Sequence, residues 1–386
     1  MRAYHMAEAL SSRYRLYLLI VSIRSGHQPE DPSAFPFCQE VVFLPVARFK
    51  DIHLFLRHQI YKCMPGFYYW CFAKPSEWVF ITNKRIRAAA RLFPQIRFDV
   101  VHLFRLYMSP FMGAFSSRLF SGTTQLDLDD LESFTRHRMS QLYRLNGFWK
   151  MARLCEREAS LHESIERRTL PIFDRIFVCS ETDRKKLQGE YHCKKVEVVP
   201  NVVKTPPAAP RMPKSETFSY LFVGTFSYYP NVDAMLYFCE KIVPFIRQFA
   251  HQRFKVQVVG RGLSEEVARV LSSYPEVELL GYVADLAAAY VESDVVIVPI
   301  RGGGGTRIKV LEAFSYRKPV ISTSIGIEGI QVEHGTHLLI GDTPEEFGRH
   351  CLDLMRDPER GDALIQAALC LVKAEYSWEA LRRILR

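Results

Sequence analysis

Twelve short runs of β-branched and other apolar residues alternate with longer helical stretches, and this alternation restricts the fold more than any other feature of the chain. Strands that alternate with helices pair in parallel, because each crossover helix packs back onto the sheet. The predicted strands are Leu16–Ser22, Glu40–Pro45, Val100–Leu103, Thr124–Leu128, Arg175–Cys179, Val196–Pro200, Ser219–Gly224, Lys255–Gly260, Val277–Leu280, Val295–Pro299, Pro319–Thr323 and Leu338–Ile340. The sequence therefore predicts an α/β protein with two sheets, each covered by helices on both faces.

A proline-rich segment separates the two sets of strands. TPPAAPRMPKSE (residues 205–216) holds four prolines in twelve residues and cannot continue a helix or a central strand. With 386 residues, two domains are the default expectation. We predict one domain over residues 1–205, a second over 206–372, and a C-terminal helix in 373–386 that packs back towards the first. In the first domain, the apolar spacing predicts one long charged helix over Leu131–Thr169.

The excess positive charge lies in the first half of the chain. Residues 1–200 carry 30 Lys and Arg against 20 Asp and Glu, whereas residues 201–386 carry 21 against 22. Such an asymmetry suits an anionic partner, and the ordinary alternative is a solvated basic surface. We predict a peripheral contact with an anionic membrane, helped by the aromatic cluster PGFYYWCF (residues 65–72) unless that cluster serves as core or lid.

The cysteine pattern and the N-terminus predict a cytoplasmic protein. The nine cysteines are odd in number and never spaced as CxxC, which favours reduced thiols. No run of about 18 uncharged apolar residues is present, and the first residues lack the apolar region of a signal peptide. We expect a cytoplasmic location, with association at the inner face of the plasma membrane.

A glycine-rich turn between a buried strand and a helix is the strongest functional signal. VVIVPI runs into RGGGGT and then RIKVLEAFS. In open parallel sheets, ligands bind beyond the carboxyl ends of the strands. The glycines let backbone N–H groups approach an anion, Thr306 is expected to cap the helix, and Arg307 and Lys309 add two cations at its start. The segment predicts a diphosphate site.

Glu312 lies one helical turn beyond Lys309, with its Cβ tilted towards the helix N-terminus. A carboxylate there can accept hydrogen bonds from ribose hydroxyls. The alternative is an ordinary Lys309–Glu312 surface pair, which would leave the four glycines unexplained.

Other ligand classes are poorly supported. The segment Gly260–Gly262 lacks the third glycine of the dinucleotide fingerprint, and neither a Walker motif nor HExxH occurs. The basic stretch KRIRAAAR fits one helix face as well as a nucleic-acid surface. We therefore predict no nicotinamide cofactor, no tightly bound metal and no nucleic-acid partner.

The run VPIRGGGGTRIKVLEAFSYRKPVISTSIGIEGI resembles the donor-site signature of glycosyltransferase family 4, the glycosyl transferases group 1, and its GGGTRxKxLEA subgroup. The likeness continues through SYLFVGTFSYYPNVDAMLYF, FKVQVVGRG and VELLGYVADLAAAYVESDVVIVP in the second half, and through QLDLDDLES, FDRIFVCSETDRKKL and VEVVPNVV in the first. It implies the GT-B architecture of two facing Rossmann-like domains, with acceptor binding by the first and nucleotide-sugar binding by the second.

The resemblance also assigns roles. It implies that Glu312 holds the ribose, and that Asp129 stands where many relatives have a histidine facing the reacting centre. The implied donor-binding residues are Gly224, Thr225, Gly260, Arg261, Tyr282, Val283, Gly303, Gly304, Gly305, Thr306, Arg307, Lys309 and Glu312.

Three departures from the family pattern stand out. Gly304 replaces the leading glutamate of the paired-glutamate signature. GTFSYYPN lacks the Arg and Lys that many relatives carry after the first strand of the donor domain. The resemblance implies that Arg307 and Lys309 supply these positive charges instead. The segment matching RAYHMAEAL follows a strand and a glycine loop in relatives, so the N-terminal domain is expected to lack its first, central strand.

The function implied is a retaining, hexosyltransferase-type glycosyltransferase without a metal cofactor. It would move a sugar from a nucleotide-diphosphate donor to a hydroxyl acceptor, lipid-linked or polysaccharide, in polysaccharide, glycolipid or glycoconjugate biosynthesis. Two alternatives stay open: a sugar-nucleotide 2-epimerase, and a catalytically inactive partner subunit that binds nucleotide-sugars.

Overall fold

A computed structural model describes residues 2–22, 31–46, 52–72, 74–93, 95–114, 120–206, 216–305 and 307–385. The chain divides into two compact units: unit 1 comprises Met1–Val199 with Ile384–Arg386, and unit 2 comprises Pro200–Arg383. Most of the proline-rich segment, residues 207–215, lies outside the described residues. Each of the twelve predicted strands is present, with ends shifted by at most a few residues.

Unit 1 is built from six strands and seven α-helices in its described part. In chain order they are α1 Arg2–Leu10, β1 Leu16–Val21, β2 Cys38–Leu44, α2 Ile52–Cys63, α3 Pro65–Phe72, α4 Asn83–Ala89, β3 Phe98–Phe104, β4 Phe120–Leu128, α5 Glu132–Leu145, α6 Trp149–Thr169, β5 Arg175–Val178, α7 Glu181–Glu190 and β6 Val196–Val198. All strand pairs described in this unit are parallel.

The strands of unit 1 form two separate sheets. β1 pairs with β2, and the second sheet has the order β3-β4-β5-β6. Within the described residues, β1 and β3 are therefore both edge strands. The Tyr17 ring on β1 meets the Phe98 ring on β3 at a centroid distance of 5.9 Å. Within the described residues, the strands of unit 1 are thus divided between two sheets whose edges β1 and β3 face each other through these rings.

The prediction of one long helix over Leu131–Thr169 was wrong. The structure has α5 and α6, which pack along each other, and Ser140 Oγ on α5 donates a hydrogen bond to the Ala152 carbonyl on α6 at 2.9 Å. Gly147 breaks the helix because its φ of +77° lies in the left-handed region, where a side chain would add strain. The Asn-Gly dipeptide was the overlooked sequence signal.

Unit 2 contains a single six-stranded parallel sheet. Its elements and the C-terminal helix are β7 Phe218–Val223, α8 Tyr229–Tyr237, α9 Val243–Phe249, β8 Phe254–Val259, α10 Glu265–Leu271, β9 Val277–Gly281, α11 Leu286–Glu292, β10 Val295–Val298, α12 Ile308–Ser315, β11 Val320–Ser322, β12 Leu339–Ile340, α13 Pro344–Arg356, α14 Pro358–Glu375 and α15 Trp378–Ile384. A π-helical turn, Phe238–Ile242, joins α8 to α9.

The strand order in unit 2 is β12-β11-β10-β7-β8-β9, with β7 and β10 side by side at the centre. The chain builds outward from β7 in one direction, then returns to β10 and builds in the other. This is the doubly wound Rossmann order, and all four residues of β10 are buried between the covering helices.

Candidate functional site

The point where the strand order of unit 2 reverses lies between β7 and β10. Loops that follow these two strands leave the sheet in opposite directions, so a crevice opens at their carboxyl ends, where ligands of such sheets bind. Gly224 and Thr225 follow β7, and the glycine loop Gly302–Gly305 follows β10. The topology thus brings two of the predicted donor-binding segments to opposite sides of one crevice.

The glycine loop needs glycine because it runs close to the start of α8. Gly303 has φ +87°, and a Cβ at this position would lie 2.2 Å from Tyr228 Oη. The neighbouring Gly304 N–H donates to the same Tyr228 oxygen at 3.3 Å. A larger residue at position 303 would be strained at this φ and would displace the Tyr228 side chain or the loop itself.

Thr306, the predicted cap of the following helix, lies outside the described residues. Helix α12 begins at Ile308, and Arg307 occupies its N-cap position without a capping side-chain hydrogen bond. The first turn of α12 therefore carries backbone N–H groups without a side-chain cap from the N-cap residue.

Arg307 is buried beneath the glycine loop, with 7% of its surface exposed. Its Nη1 donates to the Gly304 carbonyl at 2.8 Å, and its Nη2 donates to the Gly302 carbonyl at 3.2 Å. The guanidinium therefore holds the loop in shape through backbone carbonyls and places a positive charge directly behind it. The sequence predicted the charge but not this bracing role.

Lys309 lies in the first turn of α12 and is held by α8 and β7. Its Nζ donates to Asn231 Oδ1 at 2.8 Å and lies 4.5 Å from the centroid of the Phe222 ring. Burial, with a further contribution from the Arg307 charge, lowers the pKa of the Lys309 ammonium to about 7. The site is thus short of negative charge: two cations lie close together, and a bound anion would stabilise both.

We expect this lowered pKa to make binding of the predicted nucleotide-sugar ligand pH-dependent. A bound diphosphate raises the Lys309 pKa, so affinity should be greatest below pH 7 and fall as the pH rises above 7, by up to about tenfold per unit. Calorimetry in two buffers of different ionisation enthalpy should show proton uptake at pH 8. A nucleotide-sugar is the right probe because its diphosphate diester does not titrate in this range.

The matched control for this pH dependence is Lys309→Arg, which keeps a cation that does not titrate. Its affinity should be flat between pH 6 and 9, without proton uptake. The same uptake in the variant as in the parent chain would assign the titration to another group.

Glu312 lies on the Lys309 side of α12, where Tyr290 Oη donates to its Oε2 at 3.5 Å. Tyr290 in turn stacks on Tyr316 with ring centroids 4.6 Å apart. Burial raises the pKa of the Glu312 carboxyl, while Tyr290 and Lys309 oppose the shift. Glu312 is therefore partly buried and not a fully solvated surface partner of Lys309, and its carboxylate can accept hydrogen bonds from a hydroxyl-bearing ligand.

The turns after β7, β8 and β9 are tied together by their backbones. Gly224 N donates to the Val259 carbonyl at 2.9 Å, Phe226 N to the Arg261 carbonyl at 2.8 Å, and Gly260 N to the Gly281 carbonyl at 2.8 Å. The predicted residues of these turns are Gly224, Thr225, Gly260, Arg261, Tyr282 and Val283. They line the same edge of the sheet as the glycine loop, and 73% of the Tyr282 side chain is exposed for contact with a ligand.

Sequence reasoning missed the polar residues at the start of α8. Besides binding Lys309, Asn231 donates through Nδ2 to the Thr225 carbonyl at 2.8 Å, which joins the loop after β7 to α12. Asp233, with 2% of its surface exposed, binds Arg301 in a bidentate pair at 3.0 and 2.6 Å. The segment SYYPNVD contains these residues, and its proximity to the first strand of the domain was the available signal.

Asp129 lies in unit 1, just after the carboxyl end of β4. It forms an ion pair with Arg105, a residue that follows β3 and that the sequence reading did not single out. Arg105 has φ +71°, an unfavourable conformation for a residue with a side chain, and its Nη1 also lies 3.5 Å from Glu132 Oε1. Strained backbone of this kind is concentrated at functional sites. Arg105 and Asp129 thus form a charged pair at the ligand-binding edge of this sheet.

A cavity of about 770 Å³ lies at the opposite end of the unit 2 sheet, beside the start of β7, β8 and β9. Its lining includes Arg247 and Glu276, which pair with each other at 2.7 and 2.9 Å. It lies at the amino ends of the strands, away from the crevice, and so lacks the converging loops that characterise ligand sites in such sheets.

The described part of the chain contains neither a cluster of metal-binding side chains nor a disulfide bond. No group of three or more His, Cys, Asp or Glu side chains among these residues is arranged to hold a metal ion. All nine cysteines lie in this part, and each is a free thiol. The prediction that no metal is held tightly stays a prediction.

Residues 217–357, which lie in unit 2, match the model of the family described as Glycosyl transferases group 1. A protein of Klebsiella pneumoniae named "Uncharacterized 44.6 kDa protein in cps region" is 28% identical over 144 residues. That alignment covers 36% of this chain and spans only 37% of the length of that relative.

Solved structures of low identity share the fold across the chain. Sucrose-phosphate synthase from Thermosynechococcus elongatus is 17% identical, with a TM-score of 0.67, over 99% of this chain and 90% of that one. HepE of Anabaena in complex with UDP and glucose is 12% identical, with a TM-score of 0.59, over 98% of this chain and 93% of that one. The predicted α/β fold with two Rossmann-like units, the GT-B class, is confirmed.

Proposed function

We propose that the chain is a retaining glycosyltransferase that moves a hexose from a nucleotide-diphosphate donor to a hydroxyl acceptor. The observation that carries the proposal is the meeting of two cations, Arg307 and Lys309, with the glycine loop at the point where the unit 2 sheet reverses. The group 1 family match to residues 217–357 supports the same chemistry.

The donor is proposed to lie along the crevice between the loops after β7 and β10. Its diphosphate contacts the glycine loop, Arg307 and Lys309. Its ribose hydroxyls donate hydrogen bonds to Glu312, and its base lies beside Tyr282 and Val283. The solved structure of HepE of Anabaena is a complex with UDP and glucose, which supports a nucleotide-sugar donor for this chain.

Transfer is proposed to depend on stabilising the charge that develops as the diphosphate leaves. Loop N–H groups and the two cations are held in place before the reaction, so little reorganisation is needed when the bond breaks. The acceptor hydroxyl attacks from the face that the diphosphate leaves, and its proton passes to the departing phosphate oxygen. Asp129 orients a substrate hydroxyl and is not the sole base.

The polysaccharide context rests on a relative. The Klebsiella pneumoniae protein is named for a cps region, and we propose that this chain acts in polysaccharide, glycolipid or glycoconjugate synthesis. Lipid-linked and polysaccharide hydroxyls are the proposed acceptors, and no metal cofactor is proposed.

Calorimetry and product analysis test the proposal together. The protein is titrated with UDP, GDP and ADP, and then incubated with the matching nucleotide-sugars, with and without glycan or lipid-linked acceptors. Nucleotide binding with acceptor-dependent release of the nucleoside diphosphate is the expected result. A donor epimerised at C2 without any acceptor would replace the proposal by a sugar-nucleotide 2-epimerase, and absence of nucleotide binding would end it.

The split of the unit 1 sheet favours one second candidate, a binding subunit without catalytic activity. The edge strands β1 and β3 belong to the unit that is proposed to bind the acceptor, and a divided sheet supports that unit less firmly. Nucleotide binding without hydrolysis or transfer for every donor and acceptor would favour this candidate.

The Asp129→Asn variant is expected to separate binding from turnover. It removes the charge that faces Arg105 but keeps the side-chain shape, so nucleotide affinity should be unchanged while kcat falls by about 10²-fold. Asp99→Asn is the matched control, because Asp99 is exposed at the amino end of β3. A weaker nucleotide affinity with unchanged kcat would remove Asp129 from its proposed role.

A further inference from the structure

Within the described part of unit 1, two places each expose a pair of neighbouring large aromatic side chains. On α3, Phe67 is 49% and Trp70 is 77% exposed, and next to the start of α6, Phe148 is 52% and Trp149 is 63% exposed. The Phe67 and Trp70 rings stack with centroids 5.9 Å apart. Clustered exposed aromatic groups mark interaction surfaces, whereas scattered ones need no explanation. We call these four side chains the aromatic tip.

The helices that carry the two aromatic pairs, α3 and α6, pack against the same buried cluster. Tyr68 and Tyr69 of α3 are buried in a cluster against which Leu154 of α6 packs, and Arg157 Nη2 donates to the Tyr69 carbonyl at 3.0 Å. Trp149 lies five residues before Leu154, which is about 7.5 Å along the helix axis. The buried tyrosines therefore pack α3 against α6, the helix that begins at Trp149.

The segments that carry the aromatic tip are rich in cations, and acids stand only at their ends, at Asp51, Glu77 and Glu156. Residues 52–76 and 145–155 contain no Asp or Glu. Their cations are Arg57, Lys62, Lys74, Lys150 and Arg153. This local charge is part of the excess that residues 1–200 carry over the second half of the chain.

We propose that the aromatic tip docks unit 1 onto an anionic lipid bilayer. Trp and Phe rings insert at the level of the headgroups, and neighbouring Lys and Arg side chains are attracted to anionic lipids. A protein partner fits less well, because the cores of protein interfaces are depleted of lysine. No described helix is both long enough and apolar enough to cross a bilayer. The proposal concerns unit 1 and does not depend on the function proposed for unit 2.

Vesicle co-sedimentation tests the docking. The full chain is mixed with phosphatidylcholine vesicles, with and without phosphatidylglycerol, and compared with Trp70→Ser/Trp149→Ser and Lys62→Gln/Lys150→Gln. We expect the parent to bind only the anionic vesicles, the tryptophan variant to bind about 100-fold more weakly, and the lysine variant to lose salt-sensitive binding. Both tryptophans are largely exposed, so the melting temperature should be unchanged.

The matched control is Ile172→Ser, which removes an apolar side chain that is 72% exposed beyond the other end of α6. It should bind vesicles as the parent does. Equal binding by the tryptophan variant, equal binding to neutral vesicles, or a concentration-dependent dimer that the tryptophan variant abolishes would each overturn the proposal. Nucleoside diphosphate affinity, measured on the same samples, should be the same in parent and variants, so failure here is distinct from failure of the donor site.

Discussion

The double variant Arg307→Ala/Lys309→Ala is expected to bind nucleoside diphosphates about 10²–10⁴-fold more weakly than the parent chain. Each cation contributes a charge-assisted hydrogen bond of about 1.5–3 kcal/mol, and every 1.4 kcal/mol is tenfold in affinity. Isothermal calorimetry with UDP, GDP and ADP measures the loss directly. The effect should be the largest of any substitution at the site, because the Arg307 and Lys309 charges disappear together.

The control for this loss removes two positive charges elsewhere in the same unit. Arg269 on α10 and Lys373 on α14 are both exposed, and Arg269→Ala/Lys373→Ala changes the net charge of unit 2 by the same amount. This variant should bind nucleotide as the parent does.

Arg307 also braces the loop through the Gly302 and Gly304 carbonyls, so the variant with both alanines tests charge and loop shape at once. Lys309→Ala alone separates them, because Lys309 contacts Asn231 and not the loop. It should lose about 10-fold or more in affinity with an unaltered melting temperature. Undiminished affinity in both variants would rule out the diphosphate assignment.

The fold was predictable because local pattern and global topology agree. In unit 2, each strand is followed within a few residues by a glycine or a proline that marks its end. The β-branched runs that precede these residues are too short to be helices. The one large error, the helix over Leu131–Thr169, arose because the apolar spacing continues across the turn. Helical periodicity reports which side faces the core but not whether the chain reverses direction.

The candidate site was predictable only in part, for a physical reason. The glycine loop and its cations lie within eight residues of one another, so local spacing shows them. Asn231 and Asp233 reach the site from 60 residues or more away in sequence, and only the adjacency of β7 and β10 brings them there. Likewise, Arg105 meets Asp129 because β3 pairs with β4. Contacts across strands that are distant in sequence leave no periodic trace in a single sequence.

A buried ion pair in unit 1 gives the largest expected effect on stability. Arg2 on α1 donates from Nε to Asp127 Oδ1 at 2.8 Å and from Nη1 to the Val199 carbonyl at 2.6 Å. Asp127 is fully buried and Arg2 is 6% exposed. Burial raises the pKa of the Asp127 carboxyl, while the Arg2 charge opposes that rise. The two residues thus tie α1 to the end of β4 and to the segment after β6.

The Arg2→Met variant is expected to lower the free energy of unfolding of unit 1 by about 3–5 kcal/mol, because it leaves the Asp127 carboxylate buried without its counter-charge. Urea unfolding followed by tryptophan fluorescence suits the test, since Trp70, Trp78 and Trp149 lie in unit 1 and only Trp378 lies outside it. Arg15→Met, at an exposed position before β1, is the matched control and should change stability by less than about 0.5 kcal/mol.

The double variant Arg2→Met/Asp127→Leu distinguishes the loss of a charge partner from the loss of packing. Replacing both members of a buried ion pair by apolar residues of similar volume is often neutral or stabilising, so this variant should regain most of the stability that Arg2→Met loses. If it stays as unstable as the single variant, the Arg2 hydrogen bond to Val199 and the packing of α1 dominate, and the ion pair is not the main link. If Arg2→Met itself unfolds like the parent, α1 contributes little to unit 1.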